Sequence, residues 1–279
     1  MGQTGLFVVA TPIGNLEDIS LRALRILSEV DCIAAEDTRH TRILLEHHSI
    51  GTRMLALHEH NEEKLAPRLV ERLNNGESIA LVSDAGTPLV SDPGYRLVRL
   101  CGEAGIPVYV VPGPSALTAA LSVSGISVDR FCFEGFLPAK PAARRKRLEQ
   151  LVDEERSMVF YESSHRIEAC VNDMCDILGG DREAAVCREL TKRFETVKRA
   201  ALSELSSWLA DDSNQRKGEF VILVAAQDQP RAQKFAQALS MAESLQEYLP
   251  ASQAARAAAR YFDVARREVY AAMEKDTGV

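Results

Sequence analysis

A chain of 279 residues is long enough to bury a large core, and its length predicts roughly two domains with a small appendage. The apolar fraction of 46% and the charged fraction of 26% are those of an ordinary globular protein, which disfavours disordered and fibrous classes. A formal charge of -7 argues against general electrostatic attraction to nucleic acid, although a local basic patch can still bind it.

Neither a membrane protein nor a metalloprotein is indicated. No apolar run approaches the ~20 residues that span a bilayer, and no basic segment precedes the apolar residues 6–10, so we expect no signal peptide or membrane anchor. The six cysteines form no CxxC pair and no Cys/His cluster at zinc spacing. We expect them to be reduced core residues of a cytoplasmic protein.

The first half of the chain alternates short apolar runs with helical periodicity, which predicts an α/β domain on a largely parallel sheet. Strands are predicted at residues 6–10, 32–35, 54–57, 79–82 and 108–111. Each is followed by a polar loop, at residues 11–16, 36–41, 58–61, 84–94 and 112–116. The carboxyl ends of parallel strands share one sheet edge, so these loops predict a ligand site there.

The pattern breaks near Phe136, where we place the end of a first domain, 1–135. A second α/β domain, 136–229, is expected to have a largely parallel sheet as well, with strands at residues 158–161, 184–187 and 220–225. From residue 230 the apolar spacing is helical. Residues 230–279 are predicted to form a helix-turn-helix-like appendage, which could bind nucleic acid or serve as a packing or dimer element.

The stretch Ser83 to Tyr95, SDAGTPLVSDPGY, stands out because it places acids, glycines and prolines directly after a strand. Gly86 and Gly94 let backbone approach a ligand, and the prolines fix φ. By itself the stretch fits two tight turns as well as a site. Asp84 and Asp92 would repel phosphates but favour ribose hydroxyls, amines or a cation, a mixture that a sulfonium cofactor carries.

Several common motifs are absent. There is no GxGxxG after a strand, no GxxxxGK[ST], no GxSxG and no HExxH, so a dinucleotide enzyme or P-loop nucleotidase has no support. Residues 112–115, PGPS, lead into a helix but lack a basic partner, which favours a neutral or carboxylate-bearing ligand over a polyphosphate. His58 and His60 have no third ligand at matched spacing, so we expect no metal.

Six motifs in register run along the chain: VVATPIGNLEDIS, AAEDTRHTRILL, LVSDAGTPLVSDPGYRLV, VVPGPSAL, FEGFLP and FYESSHRI. Together they resemble the ribosomal RNA small-subunit methyltransferase I group of the tetrapyrrole methylase superfamily, over residues 6–225. The C-terminal segment resembles the small helix-turn-helix of that group. The resemblance implies two α/β domains, S-adenosylmethionine bound in the cleft between them, and a homodimer. It also implies methylation of a cytidine ribose 2′-hydroxyl in the decoding region of 16S ribosomal RNA.

The resemblance also implies cofactor contacts in both domains. They fall on Pro12, Gly86, Thr87, Leu89, Val90, Ser115, Ala116, Glu162, Leu190 and Phe220. Asp84 is a further cofactor candidate because of its place in the same loop as Gly86. Two departures from the porphyrin-methylating branch argue against a tetrapyrrole substrate: the first loop, ATPIGNL, is not glycine-rich, and residues 86–88 read Gly-Thr-Pro where that branch has Gly-Asp-Pro. The same two departures leave the role of Asp84 open.

The chemistry needs a proton acceptor. Methyl transfer from a sulfonium is an in-line displacement, so alignment supplies much of the acceleration and no metal is required. The ribose hydroxyl is a poor nucleophile, and some group should take its proton. Glu36 and Asp37, on the loop after the second strand, are the candidates. Alternatively, they form a structural cluster with Arg39 and Arg42.

A basic run predicts where RNA phosphates would meet the protein. Its candidates, with Arg39, are Lys140, Arg144, Arg145 and Arg147. Alternatively, the run is a solvated helix face. The expected partners are 16S ribosomal RNA within the small ribosomal subunit and a second copy of the chain. Two other functions stay open: a small-molecule, tetrapyrrole-like methylase and a non-catalytic RNA-binding module.

Overall fold

The computed structural model describes residues 3–226 and 231–276. The chain divides into two compact units. The larger comprises the residues up to Gln150 together with Ser157–Ala225, and the smaller comprises Leu151–Arg156 and the described residues after Ala225.

A five-stranded parallel sheet forms the first part of the larger unit. Its strands are β1 (Gly5–Val9), β2 (Cys32–Ala35), β3 (Met54–Ala56), β4 (Ser78–Val82) and β5 (Val108–Val111), in the order β3-β2-β4-β1-β5. The central strands are buried on both faces, which is why their sequences read as continuous apolar runs. The prediction of a parallel sheet at these positions is confirmed.

Helices cover both faces of this sheet. They are α1 (Leu21–Glu29), α2 (Thr38–His47), α3 (Glu59–Asn74), α4 (Tyr95–Glu103) and α5 (Ala116–Val123). The first two pack on one face and the next two on the other, so each face has its own apolar core. The side chains of Ser20 and Asp37 accept backbone N–H bonds at the starts of α1 and α2. The edge at the carboxyl ends of the strands is left to the loops.

A second five-stranded sheet completes the larger unit. Its strands are β6 (Phe131–Phe136), β7 (Ser157–Ser163), β8 (Glu183–Arg188), β9 (Thr196–Ala201) and β10 (Glu219–Val224), in the order β6-β7-β10-β8-β9. Helices α6 (Pro141–Glu149), α7 (Ile167–Leu178) and α8 (Leu202–Asp211) accompany it. The α/β class is confirmed.

The second sheet is mixed, which corrects the expectation of a largely parallel one. Only β6 and β7 pair in parallel; β10 is antiparallel to both of its neighbours, and β9 is antiparallel to β8. An apolar run indicates that a strand is buried but not which way its neighbours run.

Strand β6 also bears on the expected domain boundary. A cut between residues 135 and 136 would divide β6, whose residues pair with β7. The two-domain division stays a prediction, but a boundary that respects the sheet must fall before Phe131. The other expected boundary, between residues 229 and 230, lies outside the described residues.

The smaller unit contains helices α9 (Arg231–Leu245), α10 (Ala251–Phe262) and α11 (Arg266–Asp276). They pack around small side chains, including Ala242, Ala255 and Ala258, together with Val269 and Met273. The predicted helical content is therefore present, while its helix-turn-helix role stays a prediction. In the part of the chain that the structure describes, no helix is both long and apolar enough to cross a bilayer.

Candidate active site

Three of the loops at the carboxyl edge of the first sheet are bonded to one another. Thr11 and Gly86 exchange two backbone hydrogen bonds, with N···O distances of 2.8 and 2.9 Å. The Thr11 hydroxyl donates to the Ser83 carbonyl at 3.2 Å, and the Thr87 hydroxyl donates to the Pro114 carbonyl at 3.1 Å. The loops after β1, β4 and β5 therefore form one connected wall.

The loop after β4 has an unusual backbone. Gly86 has a φ of 82°, and a Cβ atom there would lie 3.4 Å from the Ile13 side chain. Leu89 and Ser91 also have positive φ angles, of 73° and 69°, although neither is glycine. Such angles are uncommon outside glycine and gather at ligand-binding loops. The side chain of Leu89 packs against the core, so this residue acts through its backbone.

A cavity of about 330 Å³, here called the first cavity, lies between this wall and the second sheet. It brings together ten residues predicted from the sequence: Glu36, Asp84, Gly86, Thr87, Val90, Ser115, Ala116, Glu162, Leu190 and Phe220. Three other residues predicted for catalysis or cofactor binding do not line it: Pro12, Asp37 and Leu89. The loops of the first sheet and the strand ends of the second thus face a common space.

The wall from the second sheet is fixed by polar contacts. Glu162, with a side chain only 1% exposed, accepts hydrogen bonds from Arg166 at 2.9 Å and from the Ser163 N–H at 2.8 Å. The Tyr161 hydroxyl accepts the Leu117 N–H at 3.1 Å, which joins β7 to the start of α5. Tyr161 lines the cavity but was not predicted from the sequence; its only signal was its place at the end of an apolar run.

Five carboxylates line the first cavity, and Glu36, Asp84 and Asp92 of the first sheet's loops lie close together among them. Glu36 accepts the Asp84 N–H at 3.3 Å, and burial raises its pKa. Burial and the nearby charges of Glu36 and Asp84 raise the pKa of Asp92 to about 6. Sequence analysis noted Asp92 in its loop but did not name it as a site residue. Carboxylates crowded and partly desolvated in this way favour a cation between them.

Asp37 is occupied elsewhere. Its carboxylate accepts bonds from the Arg39 backbone N–H at 2.8 Å and from the Arg39 guanidinium at 2.6 to 3.1 Å. These bonds hold the pKa of Asp37 well below its usual range. Asp37 therefore caps α2 and pairs with Arg39, as in the structural alternative, and its catalytic role stays a prediction.

A second cavity, of about 300 Å³, shares Asp84 and Ala85 with the first. Pro12 lines this cavity instead of the first, as does His40, whose Nδ1 lies 3.1 Å from an Asp84 oxygen. Lys192, on the same cavity, donates to Glu189 at 2.9 Å and to Glu219 at 2.8 Å.

Asp37, His40 and Asp84 place ligand atoms within 4.8 Å of one another, a spacing that a metal ion could bridge. However, Arg39 already pairs with Asp37, and His40 lies within hydrogen-bonding distance of Asp84. We therefore assign no metal to them.

The basic run on α6 is largely engaged in ion pairs. Arg144, predicted to contact RNA, is 4% exposed, and its Nε donates to Asp173 of α7 at 2.6 Å. It is therefore a buried structural residue, and the prediction is corrected. Arg145 is half-buried and contacts both Asp173 and Asp176. Sequence spacing could not reveal acids that lie about thirty positions further on.

The remaining RNA-binding candidates are accessible. Arg147 donates to Glu134 at 2.5 Å but is only half-buried, whereas Lys140 is exposed. Arg39 is exposed over 87% of its side chain despite its bond to Asp37. Contact with RNA stays a prediction for these three residues and for Arg145.

Solved structures of other proteins share this fold. Uroporphyrin-III-C-methyltransferase from Thermus thermophilus superposes with a TM-score of 0.57 and 18% identity, over 80% of this chain and 94% of its own. Diphthine synthase superposes with a TM-score of 0.59 and 20% identity, over 79% and 89%. At this level of identity the likeness shows the fold alone.

Sequence comparison shows the family to which the chain belongs. The family described as Tetrapyrrole (Corrin/Porphyrin) Methylases matches residues 5–206. Proteins named ribosomal RNA small subunit methyltransferase I are 56% identical in Xylella fastidiosa, over 95% of this chain and 97% of theirs, and 51% identical in Pseudomonas aeruginosa, over 95% of each. The chain belongs to the ribosomal RNA small subunit methyltransferase I family of the tetrapyrrole methylases. Methyltransferases of this family and fold use S-adenosylmethionine.

Proposed function

We propose that the protein transfers a methyl group from S-adenosylmethionine to the ribose 2′-hydroxyl of a cytidine in the decoding region of 16S ribosomal RNA. One observation carries the proposal: relatives between 44% and 56% identical over nearly the whole chain are named for methylation of small-subunit ribosomal RNA. The ribose position and the decoding region come from the motif resemblance.

The first cavity fits the cofactor. Glu36, Asp84 and Asp92 supply negative charge for a sulfonium and an amine, while Leu190 and Phe220 supply an apolar wall for an adenine ring. Gly86, Thr87, Val90, Ser115, Ala116 and Glu162 complete the proposed contacts. Leu89 shapes the loop, and Pro12 is assigned to the second cavity.

When bound, S-adenosylmethionine supplies a methyl group on a positively charged sulfur. The protein residues have to hold this group in line with the acceptor and exclude water from it, because alignment provides much of the rate. The bonds between the loops after β1, β4 and β5 tie these three loops of the cavity wall to one another. A cation between Glu36 and Asp92 would lower their pKa again and keep both ionised.

The function is tested by finding where a labelled methyl group goes. The protein is incubated with labelled S-adenosylmethionine and with small ribosomal subunits, naked 16S RNA or a porphyrin precursor. We expect label in the RNA, at a cytidine whose 3′ phosphodiester resists alkaline cleavage because its 2′-hydroxyl is blocked. Label in the porphyrin, or on a base, would contradict the proposal.

A Gly86→Val protein controls for contaminating activity in this assay. Valine is strained at a φ of 82° and would press on Ile13, so this variant should incorporate little label. The same assay shows whether naked RNA or the assembled subunit is the substrate. It stays a prediction that the small ribosomal subunit is the partner, that the protein is a homodimer and that it is cytoplasmic.

A further inference from the structure

His40 and Asp84 form a hydrogen-bonded pair at the second cavity. The two oxygens of Asp84 have different partners: Oδ1 accepts the Asp37 N–H at 2.9 Å, and Oδ2 lies 3.1 Å from Nδ1 of His40. A carboxylate can only accept, so Nδ1 of the imidazole carries the proton in this bond. Nε2 of a neutral His40 is then free to accept a proton from another group.

This pair lies where the two cavities meet. Asp84 and Ala85 line both cavities, whereas His40 lines only the second. His40 sits in the first turn of α2, which Asp37 caps, so its backbone position is fixed. The side chain of His40 is nevertheless 64% exposed and open to a large ligand. A sugar in the second cavity would lie across Asp84 from a cofactor in the first.

We propose, on the basis of the proposed function, that the second cavity receives the target nucleotide and that His40 accepts the proton of its 2′-hydroxyl. The hydroxyl oxygen bonds to the methyl carbon, the carbon–sulfur bond breaks, and its electron pair stays on sulfur. The hydroxyl proton passes to Nε2 of His40. Asp84 is a positioning residue that fixes the imidazole and stabilises the imidazolium that forms.

The other candidate bases fit less well. Asp37 is held by Arg39, which leaves it a weak base. Glu36 and Asp92 line the cavity assigned to the cofactor, where a positive sulfur would lower the pKa of both. His40 lines the cavity left for the acceptor, and its bond to Asp84 raises its pKa, which makes it a stronger base than an ordinary imidazole.

Some features around His40 raise its pKa and others lower it. Asp84 and Asp37 raise its pKa, while partial burial and Arg39 lower it. Glu36 faces it from the loop after β2, and Lys192 and Glu219 line the same cavity from the second sheet. Because only the neutral ring accepts a proton, the methylation rate should rise with pH through the pKa of His40.

The first test needs no substrate. NMR titration of the histidine ring signals in the free protein should give His40 a pKa above its ordinary value, and Asp84→Asn should lower it. An unchanged His40 pKa in that variant would overturn the pairing. Saturable Mg²⁺ binding that shifts the His40 signals would also overturn the proposed role of His40, since a metal-bound ring nitrogen cannot take the proton of the 2′-hydroxyl.

The second test follows single-turnover methylation of small ribosomal subunits at saturating cofactor. His40→Gln should slow the reaction by about 10²-fold or more and remove the rise of rate with pH, while calorimetry shows unchanged cofactor affinity. His47→Gln, the same exchange on the exposed side of the same helix, should behave as wild type.

The results separate the two proposals. Wild-type protein that labels no RNA contradicts the proposed function. Wild-type protein that labels RNA, together with a folded His40→Gln variant that keeps both its rate and its pH profile, overturns the role of His40 alone.

Discussion

The acidic side chains at the first cavity differ in the groups that lie close to their carboxylates. Asp84 lies between a backbone N–H and an imidazole. Asp92 has a pKa raised to about 6, because burial and the charges of Glu36 and Asp84 disfavour its ionised form. This carboxylate is therefore the one whose charge gains most from a nearby cation.

Asp92→Asn should weaken binding of S-adenosylmethionine more than binding of S-adenosylhomocysteine. Only the first carries a positive sulfur, so only the first loses an attraction when the carboxylate is removed. Calorimetry with both ligands measures the ratio of the two affinities, with Asp129→Asn as an exposed control. Equal weakening of both ligands would place Asp92 away from the sulfur.

The positions of the loops could be predicted more readily than the roles of their side chains. Seven of the ten expected residues that line the first cavity follow β2, β4 and β5, because the parallel strands of the first sheet bring the loops after them to one edge. Glu162, Leu190 and Phe220, from the mixed second sheet, were expected from the motif resemblance alone.

No comparable rule predicts which side chains bond to one another. The letters EDTRH left open whether Asp37 acts as a base or pairs with Arg39. They do not show that His40 turns toward Asp84, since that bond joins residues 44 positions apart.

Among the elements, α6 and α7 are joined by a buried ion pair. Arg144 and Asp173 have side chains only 5% and 13% exposed. Removing one member of such a pair leaves the other charge buried without its partner, which costs more than the pair itself contributes.

Asp173→Ala should lower the free energy of unfolding by about 3–5 kcal/mol, because Arg144 then keeps a buried charge with no carboxylate. Asp176→Ala is the matched control: it removes a partner of the half-exposed Arg145 and should cost at most about 1 kcal/mol. Urea denaturation measures both. Equal losses would show that Arg144 finds water or another acceptor.

Strand prediction succeeded where the sequence has an apolar run, as in the central strands β1, β2 and β4 and in the edge strands β3 and β5. β9, with the sequence TVKRAA, is an edge strand with three exposed residues and was missed. β6 was missed because the pattern was interpreted as breaking near Phe136, its last residue, and the strand has an irregularity between Phe133 and Gly135. Strand direction in the second sheet depends on pairing, which apolar periodicity does not encode.

For the whole molecule, the two units have separate cores. The alanine-rich core of α9, α10 and α11 draws on its own helices, and the first cavity is lined entirely by residues of the larger unit. Damage confined to the smaller core should therefore leave cofactor binding intact.

Ala258→Arg places a long charged side chain at a position that is 0% exposed, so α9, α10 and α11 should lose their packing. Circular dichroism should show reduced helicity, while affinity for S-adenosylmethionine stays at the wild-type value. Ala257→Arg, at the exposed neighbouring position, should change neither. A parallel loss of cofactor affinity would mean that the larger unit needs the smaller one to fold.

The two backbone hydrogen bonds between Thr11 and Gly86 lie beside a segment that the two cavities share. Residues 84 and 85 line both spaces, and Gly86 ties them to the first loop. A ligand that shifts this segment changes the shape offered to the other ligand. Thermodynamic linkage then requires that the factor by which the bound cofactor changes RNA affinity equals the factor by which bound RNA changes cofactor affinity. A coupling that depends on the methyl group would therefore weaken for both ligands at once when the group is transferred.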